Sequence, residues 1–224
     1  MRARGVRFHV VELGADPGGG AGEPLVMLHG LTGSAASWFF SVAPALARTR
    51  PVRLPDWRGH GMSERTATGY DTATLAADLA ELTAGLPPFA IAGHSYGAVV
   101  AVRFARAHPG RVTRMALIDP PFGMRFAGGG PHAGHALCGT SLRADLAAEP
   151  AVTGGELAAL RGLPVLTVVG ADSPFRRAGE LVGGALPASR RHVLPGGHDL
   201  HITARARLAP LLEDFLTESE EAHA

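Results

Sequence analysis

The chain has 224 residues, of which 46% are hydrophobic and 18% are charged, and its net charge at pH 7 is +1. This size and composition are typical of a globular domain, and we predict one domain over residues 1–224. The nearly neutral charge, without a cluster of basic residues, excludes nucleic acid as an expected partner, and the single cysteine excludes an internal disulfide.

The first half of the chain alternates short apolar runs with longer helix-like stretches. In chain order, we predict strands at "RFHVVEL" and "PLVMLHG", a helix at "SWFFSVAPALAR", a strand at "PVRLPD" and a helix at "TATLAADLAELTAGL". Pro44 either kinks the first helix or marks its first turn. Asp71 or Thr72 is the candidate cap of the second helix.

The second half continues the alternation. We predict a strand at "FAIAGH", a helix at "YGAVVAVRFARAHPG", and strands at "VTRMALIDP" and "PVLTVVGAD". A helix at "FRRAGELVGGAL", a strand at "RRHVLPGG" and a closing helix at "ITARARLAPLLEDFLTESE" follow. Strands that alternate with helices predict an α/β fold, with a mostly parallel sheet covered by helices on both faces.

One stretch, residues 122–162, breaks this alternation. It begins with the glycine-rich "FGMRFAGGGPHAGHALCG" and continues with material for one or two short helices. A connection of about forty residues is long for an α/β unit. We therefore predict an insertion that covers the strand ends as a short lid.

The sequence also lacks segments that direct a protein to a membrane. Its start is basic but has no apolar stretch long enough for a signal peptide, and no apolar run reaches the roughly 18 residues of a membrane span. We therefore expect a cytoplasmic protein. His132 and His135 lie in a glycine-rich stretch without an evident third ligand, so we expect no metal.

The segment "GHSYG" joins a predicted strand to a predicted helix through one serine. Gly93 and Gly97 allow the two elements to pass close together, and the tight turn exposes the Ser95 hydroxyl above the carboxyl ends of the sheet. The helix that begins here favours negative charge near its N-terminus. This geometry is typical of a nucleophile.

A serine hydroxyl needs a base, and the base needs a carboxylate that orients it. His198 follows a short strand and two glycines in "LPGGHDLHI", and we favour it over His201. Asp172, just past the strand in "VVGADSP", is our first candidate for the carboxylate. Asp119, at the strand end in "LIDPP", is the alternative.

Two backbone amides are the candidate donors to a developing oxyanion. The first belongs to Tyr96, which follows the serine, and the second to Leu31, in the loop after "VMLHG". Gly30 would let that loop turn its amide inward. We interpret the neighbouring His29 as a residue that organises the loop.

The loop "DWRGHGMSE" carries polar residues at another strand end. Asp56, Arg58 and His60 are interpreted as a buried ion pair and hydrogen bonds that hold this loop, rather than as an active cluster.

Five motifs in this order resemble the α/β-hydrolase fold superfamily. They are "HGLTGS" in the oxyanion loop, "DWRGHGMS", "GHSYG" at the nucleophile elbow, "VVGADSP" and "GGHDL", and the resemblance spans about residues 5 to 216. It implies a cofactor-free enzyme with the order Ser95, Asp172, His198. The motifs are specific for the fold and not for a substrate.

The resemblance implies hydrolysis of a carboxylic ester, thioester or lactone of a small-molecule substrate. Epoxide hydrolases and dehalogenases of the superfamily use an aspartate nucleophile, so Ser95 argues against both. The alternatives are a non-hydrolytic cyclase or lyase on the same scaffold and a ligand-binding protein with little turnover. The short lid departs from the longer helical caps of many relatives.

Overall fold

A computed structural model of the chain describes residues 1–14, 22–124 and 137–218. Within these ranges a seven-stranded sheet forms the centre of the molecule, with the order β3-β5-β4-β6-β7-β8-β9. Its strands are β3 (Val10–Leu13), β4 (Leu25–Leu28), β5 (Val52–Pro55), β6 (Phe89–His94), β7 (Val112–Ile118), β8 (Val165–Gly170) and β9 (Arg190–Leu194). Only β3 runs antiparallel to its neighbour in this sheet. A small hairpin, β1 (Arg2–Ala3) and β2 (Val6–Arg7), precedes it.

Helices cover both faces of the sheet, as predicted. The described helices are α1 (Ala35–Phe39), α2 (Ala43–Leu46), α3 (Thr72–Leu82), α4 (Tyr96–Ala107), α5 (Leu142–Ala148), α6 (Gly154–Ala158), α7 (Ala178–Ala185), α8 (Leu200–Thr203) and α9 (Arg205–Thr217). The apolar faces of α3, α4 and α7 pack on one side, and those of α1, α2 and α9 pack on the other. None of the described helices is long and apolar enough to cross a membrane.

The central strands are apolar on both faces because both faces are covered. Every residue of β4, β6 and β8 is buried, which explains why these strands read as continuous apolar runs rather than as alternating ones. The predicted architecture is confirmed.

The helix predicted at "SWFFSVAPALAR" is two short helices in the structure. α1 ends at Phe39 and α2 begins at Ala43, with Pro44 in the first turn of α2. Proline is tolerated in a first turn because no helical hydrogen bond is lost there. Asp71 caps α3, since its carboxylate accepts the Thr74 N–H at 2.8 Å.

The register of β6 and β7 places two polar residues at the same rim of the sheet. His94 pairs with Ile118 across these strands, so Ser95 and Asp119 each follow the last paired residue of adjacent parallel strands. The Ser95 N–H donates to the Ile118 carbonyl at 3.0 Å, and the Asp119 N–H donates to the Val168 carbonyl at 2.7 Å. Both residues therefore lie at the same rim of the sheet.

The predicted lid lies partly outside the described residues, which omit residues 125–136. The described part carries α5 and α6. Asp145 accepts the Tyr70 N–H at 2.9 Å, and Glu149 accepts the Thr72 N–H at 3.0 Å and its hydroxyl at 2.5 Å. These bonds attach the segment to the start of α3. The prediction that this segment covers the active site as a lid stays a prediction. The same holds for the single domain over residues 1–224.

Candidate active site

Ser95 lies in a strained turn between β6 and α4. Its backbone has φ 52° and ψ −120°, a region that residues other than glycine rarely adopt. Such strain is typical of a nucleophile elbow, where the turn presents the hydroxyl above the sheet. The side chain is half-buried, whereas the residues on either side of it are buried.

Two glycines of the elbow leave space that no other residue could leave. A Cβ at Gly93 would lie 2.5 Å from the Gly97 carbonyl oxygen, and a Cβ at Gly97 would lie 2.4 Å from the Leu28 carbonyl oxygen. Both neighbours are backbone atoms and cannot rotate away. The predicted reason for these glycines, close passage of strand and helix, is confirmed.

Asp119 is the carboxylate beside the predicted base. The His198 Nδ1–H donates to Asp119 Oδ2 at 2.6 Å, and the aspartate side chain is fully buried while 31% of the histidine side chain is exposed. Gly170 N–H and the Ser173 hydroxyl also donate to this carboxylate, at 2.9 and 2.5 Å. Three donors thus converge on one buried carboxylate. With Nδ1 as the donor, the lone pair of the neutral His198 ring lies on Nε2.

In the structure the carboxylate beside His198 is that of Asp119, and not that of Asp172 as predicted. Asp172 is exposed, and its N–H donates to the Gly196 carbonyl at 3.0 Å. Its carboxylate forms no hydrogen bond or ion pair with a described residue. The alternative residue, Asp119, takes the place because it follows β7 directly, whereas Asp172 lies one residue farther beyond the end of its strand.

His94 connects Ser95 to the loop of His198. Its Nε2–H donates to the His198 carbonyl at 3.0 Å, and the two rings lie 4.6 Å apart between centroids. His94 immediately precedes Ser95, so this bond ties the loop of His198 to the residue next to the serine. In this conformation neither Ser95 Oγ nor His198 Nε2 has a hydrogen bond within the described ranges. The hydrogen bond between a catalytic serine and its base commonly forms or shortens only when substrate binds.

The predicted oxyanion residues flank the serine. Tyr96 begins α4, so its amide lies at the positive end of the helix dipole. Its side chain points away from the site, because the hydroxyl donates to the Tyr70 carbonyl at 2.9 Å and burial raises its pKa. Leu31 is half-buried in the loop that lies against the elbow.

Gly30 is needed because the elbow lies too close to this loop for a side chain, and not because its backbone adopts a positive φ. A Cβ there would lie 3.0 Å from Ser95 Cβ and 3.1 Å from His94 Nδ1. The positive φ of the loop, 61°, belongs to Thr32. The predicted reason for Gly30 is therefore wrong, although the close approach of loop and elbow requires a glycine.

His29 has the contacts of a loop-organising residue. Its Nδ1–H donates to the Gly30 carbonyl at 2.7 Å, and its Nε2 accepts the Trp57 N–H at 3.1 Å. Burial, with the nearby His60, lowers its pKa to about 3. His29 is thus neutral at neutral pH, and both of its nitrogens are occupied.

The "DWRGHGMSE" loop is held as predicted. Asp56 accepts N–H groups of Ala35 and Met62, at 2.6 and 3.0 Å. Arg58 forms a two-pronged ion pair with buried Asp78 at 2.8 and 2.7 Å, and burial raises the pKa of that carboxyl. These contacts are structural and none reaches Ser95.

A group of potential metal ligands lies beside the site. Within the described ranges, one nitrogen or oxygen each of His94, Asp199 and His201 lies within 4.8 Å of the others. His94 Nε2 is engaged by the His198 carbonyl, and Asp199 is exposed. We assign this group no metal.

Comparisons with known proteins agree with the observed fold. A family model described as "alpha/beta hydrolase fold" matches residues 23–129. A "Soluble epoxide hydrolase" of Corynebacterium sp. (strain C12) is 39% identical over 126 residues, which cover 55% of this chain and 42% of that protein. The enol-lactonase structure from Burkholderia xenovorans LB400 has a TM-score of 0.84 at 21% identity, covering 96% of this chain and 98% of that one. The chain has the α/β-hydrolase fold.

The sequence matches to this chain are partial. A "Putative 2-succinyl-6-hydroxy-2,4-cyclohexadiene-1-carboxylate synthase" of Bacillus subtilis (strain 168) is 35% identical over 128 residues, 55% of this chain and 44% of that protein. The chain thus spans less than half of the length of the two curated relatives named here. The structural likeness extends over nearly the whole chain and establishes the fold.

Buried histidines surround the candidate base. Burial, with help from His201 and His198, lowers the pKa of His94 well below 6.5, and burial lowers that of His201 to about 4. The two rings lie 4.2 Å apart. His201 Nδ1 is buried and has no hydrogen-bond partner within the described ranges. These imidazoles are neutral in the folded protein.

We expect the protein to lose stability steeply as the pH falls from about 6.5 to 4. The unfolded chain takes up protons on His29, His94 and His201 in this range, while the folded protein does not, because their folded-state pKa values are depressed. Each such histidine contributes a slope of roughly 1.4 kcal/mol per pH unit to the free energy of unfolding. Urea unfolding at several pH values measures this slope.

The variant His201→Leu should flatten this slope by about one proton, and His192→Gln, at a half-buried position, is the matched control. An unchanged slope in His201→Leu would contradict the assignment of a neutral buried imidazole at this position.

Proposed function

We propose that the protein is a serine hydrolase that cleaves a carboxylic ester, thioester or lactone. Ser95 is the nucleophile, His198 the general base and Asp119 the carboxylate that orients it, and the amides of Leu31 and Tyr96 stabilise the oxyanion. The observation that carries this proposal is the 2.6 Å bond from His198 Nδ1 to buried Asp119, formed at the rim where the strained Ser95 lies.

In the first half-reaction, Ser95 Oγ bonds to the acyl carbon while its proton passes to His198 Nε2. The carbonyl oxygen becomes an oxyanion, for which the positive end of α4 and the Leu31 loop provide N–H donors. The bond to the leaving oxygen or sulfur then breaks, and His198 gives that atom its proton. Asp119 stabilises the imidazolium between these steps.

In the second half-reaction, water replaces the leaving group. His198 takes a proton from water as the hydroxide attacks the acyl carbon, the bond to Ser95 Oγ breaks, and the proton returns to the serine. The acid product leaves. The Nδ1 bond to Asp119 keeps Nε2 available for both half-reactions.

Covalent labelling tests the assignment of an activated serine. We expect a fluorophosphonate probe to label the protein at Ser95, located by mass spectrometry of the peptides. His198→Gln should slow labelling at least a hundredfold, because the serine loses its base, whereas His192→Gln should label at the wild-type rate. Labelling on another residue, or at an equal rate in His198→Gln, would contradict the proposal.

A non-hydrolytic reaction is the second candidate function. The observation that favours it is the similarity to a relative whose name is that of a synthase. The same His198 could act as a base in an elimination or cyclisation. Product mass separates the two: hydrolysis adds the elements of water to the substrate, and elimination or cyclisation does not.

A further inference from the structure

A cavity of about 500 Å³ opens at the rim of the sheet beside the candidate base. It lies between the segment that follows β7 and the segment that joins β8 to α7. Its described lining is apolar except for one residue: Phe122, Gly123, Met124, Pro174, Phe175, Arg177, Ala178 and Leu181. Its volume falls in the range of small-molecule sites, roughly 300–1,000 Å³.

The wall of this cavity is fixed to the candidate catalytic pair. The Ser173 hydroxyl donates to Asp119 at 2.5 Å and accepts the Phe175 N–H at 3.0 Å. The Phe175 ring meets the His198 ring edge-on, with centroids 4.9 Å apart. Phe175 therefore lines the cavity and contacts the candidate base, so this wall of the cavity adjoins His198.

The charge of the cavity comes from Arg177. Its guanidinium forms no hydrogen bond or ion pair with any residue of the described ranges, although the chain holds many arginines that do. The nearest carboxylates along the chain, Asp172 and Glu180, are exposed and do not line the cavity. Among the described residues that line it, the cavity thus combines an apolar wall with one positive charge that no described carboxylate pairs with.

We propose that this cavity binds an apolar acyl chain that ends in a carboxylate, with Arg177 as the residue that recognises the anion. The inference rests on the proposed serine hydrolysis and names its substrate class. An unpaired guanidinium at an apolar rim favours a carboxylate because it can form two parallel charge-assisted hydrogen bonds with it. The apolar wall binds the methylene groups between that carboxylate and the scissile carbonyl.

Two matched esters test the proposal. p-Nitrophenyl hydrogen adipate carries a terminal carboxylate, and its terminal carboxamide analogue has the same shape without the charge. We expect the wild-type kcat/KM to be at least fivefold higher for the carboxylate ester at low salt. This preference should shrink in about 0.5 M salt, because salt at that concentration strongly screens charges in water. Arg177→Gln should abolish the preference.

Arg176→Gln is the control, because Arg176 is equally exposed but does not line the cavity. It should keep the preference for the carboxylate. Equal rates on both esters in the wild type, or a preference that survives Arg177→Gln, would overturn the inference while the proposed function stands.

Failure of the proposed function gives a different result. If neither ester is cleaved and the fluorophosphonate does not label Ser95, both the function and the inference are overturned. If neither ester is cleaved but Ser95 still labels, the assignment of the carboxylate chain alone is overturned.

Discussion

Replacing Ser95 by alanine is expected to lower kcat/KM for a short p-nitrophenyl ester by roughly 10⁴- to 10⁶-fold. The variant retains His198, its bond to Asp119 and the amides of the oxyanion loop, so only the atom that bonds to the acyl carbon is removed. Residual activity reports the oxyanion donors and substrate binding without a covalent intermediate. Release of p-nitrophenolate measures the loss, and the intact mass of the protein during turnover measures the acyl-enzyme.

The fold should be unaffected by this substitution. No hydrogen bond of the Ser95 hydroxyl to a described residue is lost, and alanine adopts the same backbone conformation at a similar cost. Ser189→Ala, at another half-buried serine, is the matched control and should keep wild-type activity. Wild-type turnover in Ser95→Ala would refute the assignment of the nucleophile.

The elbow is predictable from the sequence because its physical requirements are local. Gly93 and Gly97 are required by backbone atoms at 2.5 and 2.4 Å, and a strand, a serine and a helix follow one another without a break. The same holds for the sheet, since β4, β6 and β8 are apolar throughout and leave a pattern that sequence shows directly.

The choice of carboxylate is not local, and there the sequence prediction fails. Asp119 and Asp172 both follow apolar strands that are neighbours in the sheet, so hydropathy does not separate them. What separates them is the direction of each side chain at the rim. Asp119 has a positive φ of 45° immediately past β7, and three donors from β8 and the loops beyond it converge on its carboxylate.

Two further hydrogen bonds of the site could not be predicted from the sequence. Ser173 binds Asp119 across 54 positions of the chain, and His94 binds the His198 carbonyl across 104 positions. No spacing rule connects such residues, because the register of the strands brings them together. His94 lies within the predicted elbow, so its position was known but its partner was not.

Asp119→Asn is expected to lower kcat by about 10³- to 10⁴-fold. The amide N–H₂ of an asparagine can donate to His198 Nδ1, and this nitrogen must then be the acceptor of the ring. The ring proton therefore lies on Nε2, which no longer has a lone pair to take the serine proton. Asparagine retains an oxygen that can accept the Gly170 N–H, which donates to Asp119 Oδ1 at 2.9 Å in the unchanged protein. The folded structure should therefore survive, and thermal unfolding checks that it does.

Asp172→Asn is the matched substitution at the rejected position, and it should change kcat by less than about twofold because that carboxylate is exposed and contacts no described residue. The pair of variants separates two readings of the same sequence. If Asp172→Asn is the more damaging, the loop after β8 must rearrange during turnover to bring its carboxylate to His198, and the bond to Asp119 is then not the one that orients the base. If Asp119→Asn is the more damaging, as we expect, the register of β7 against β6 is what positions the carboxylate, since it places Asp119 beside Ser95 at the rim.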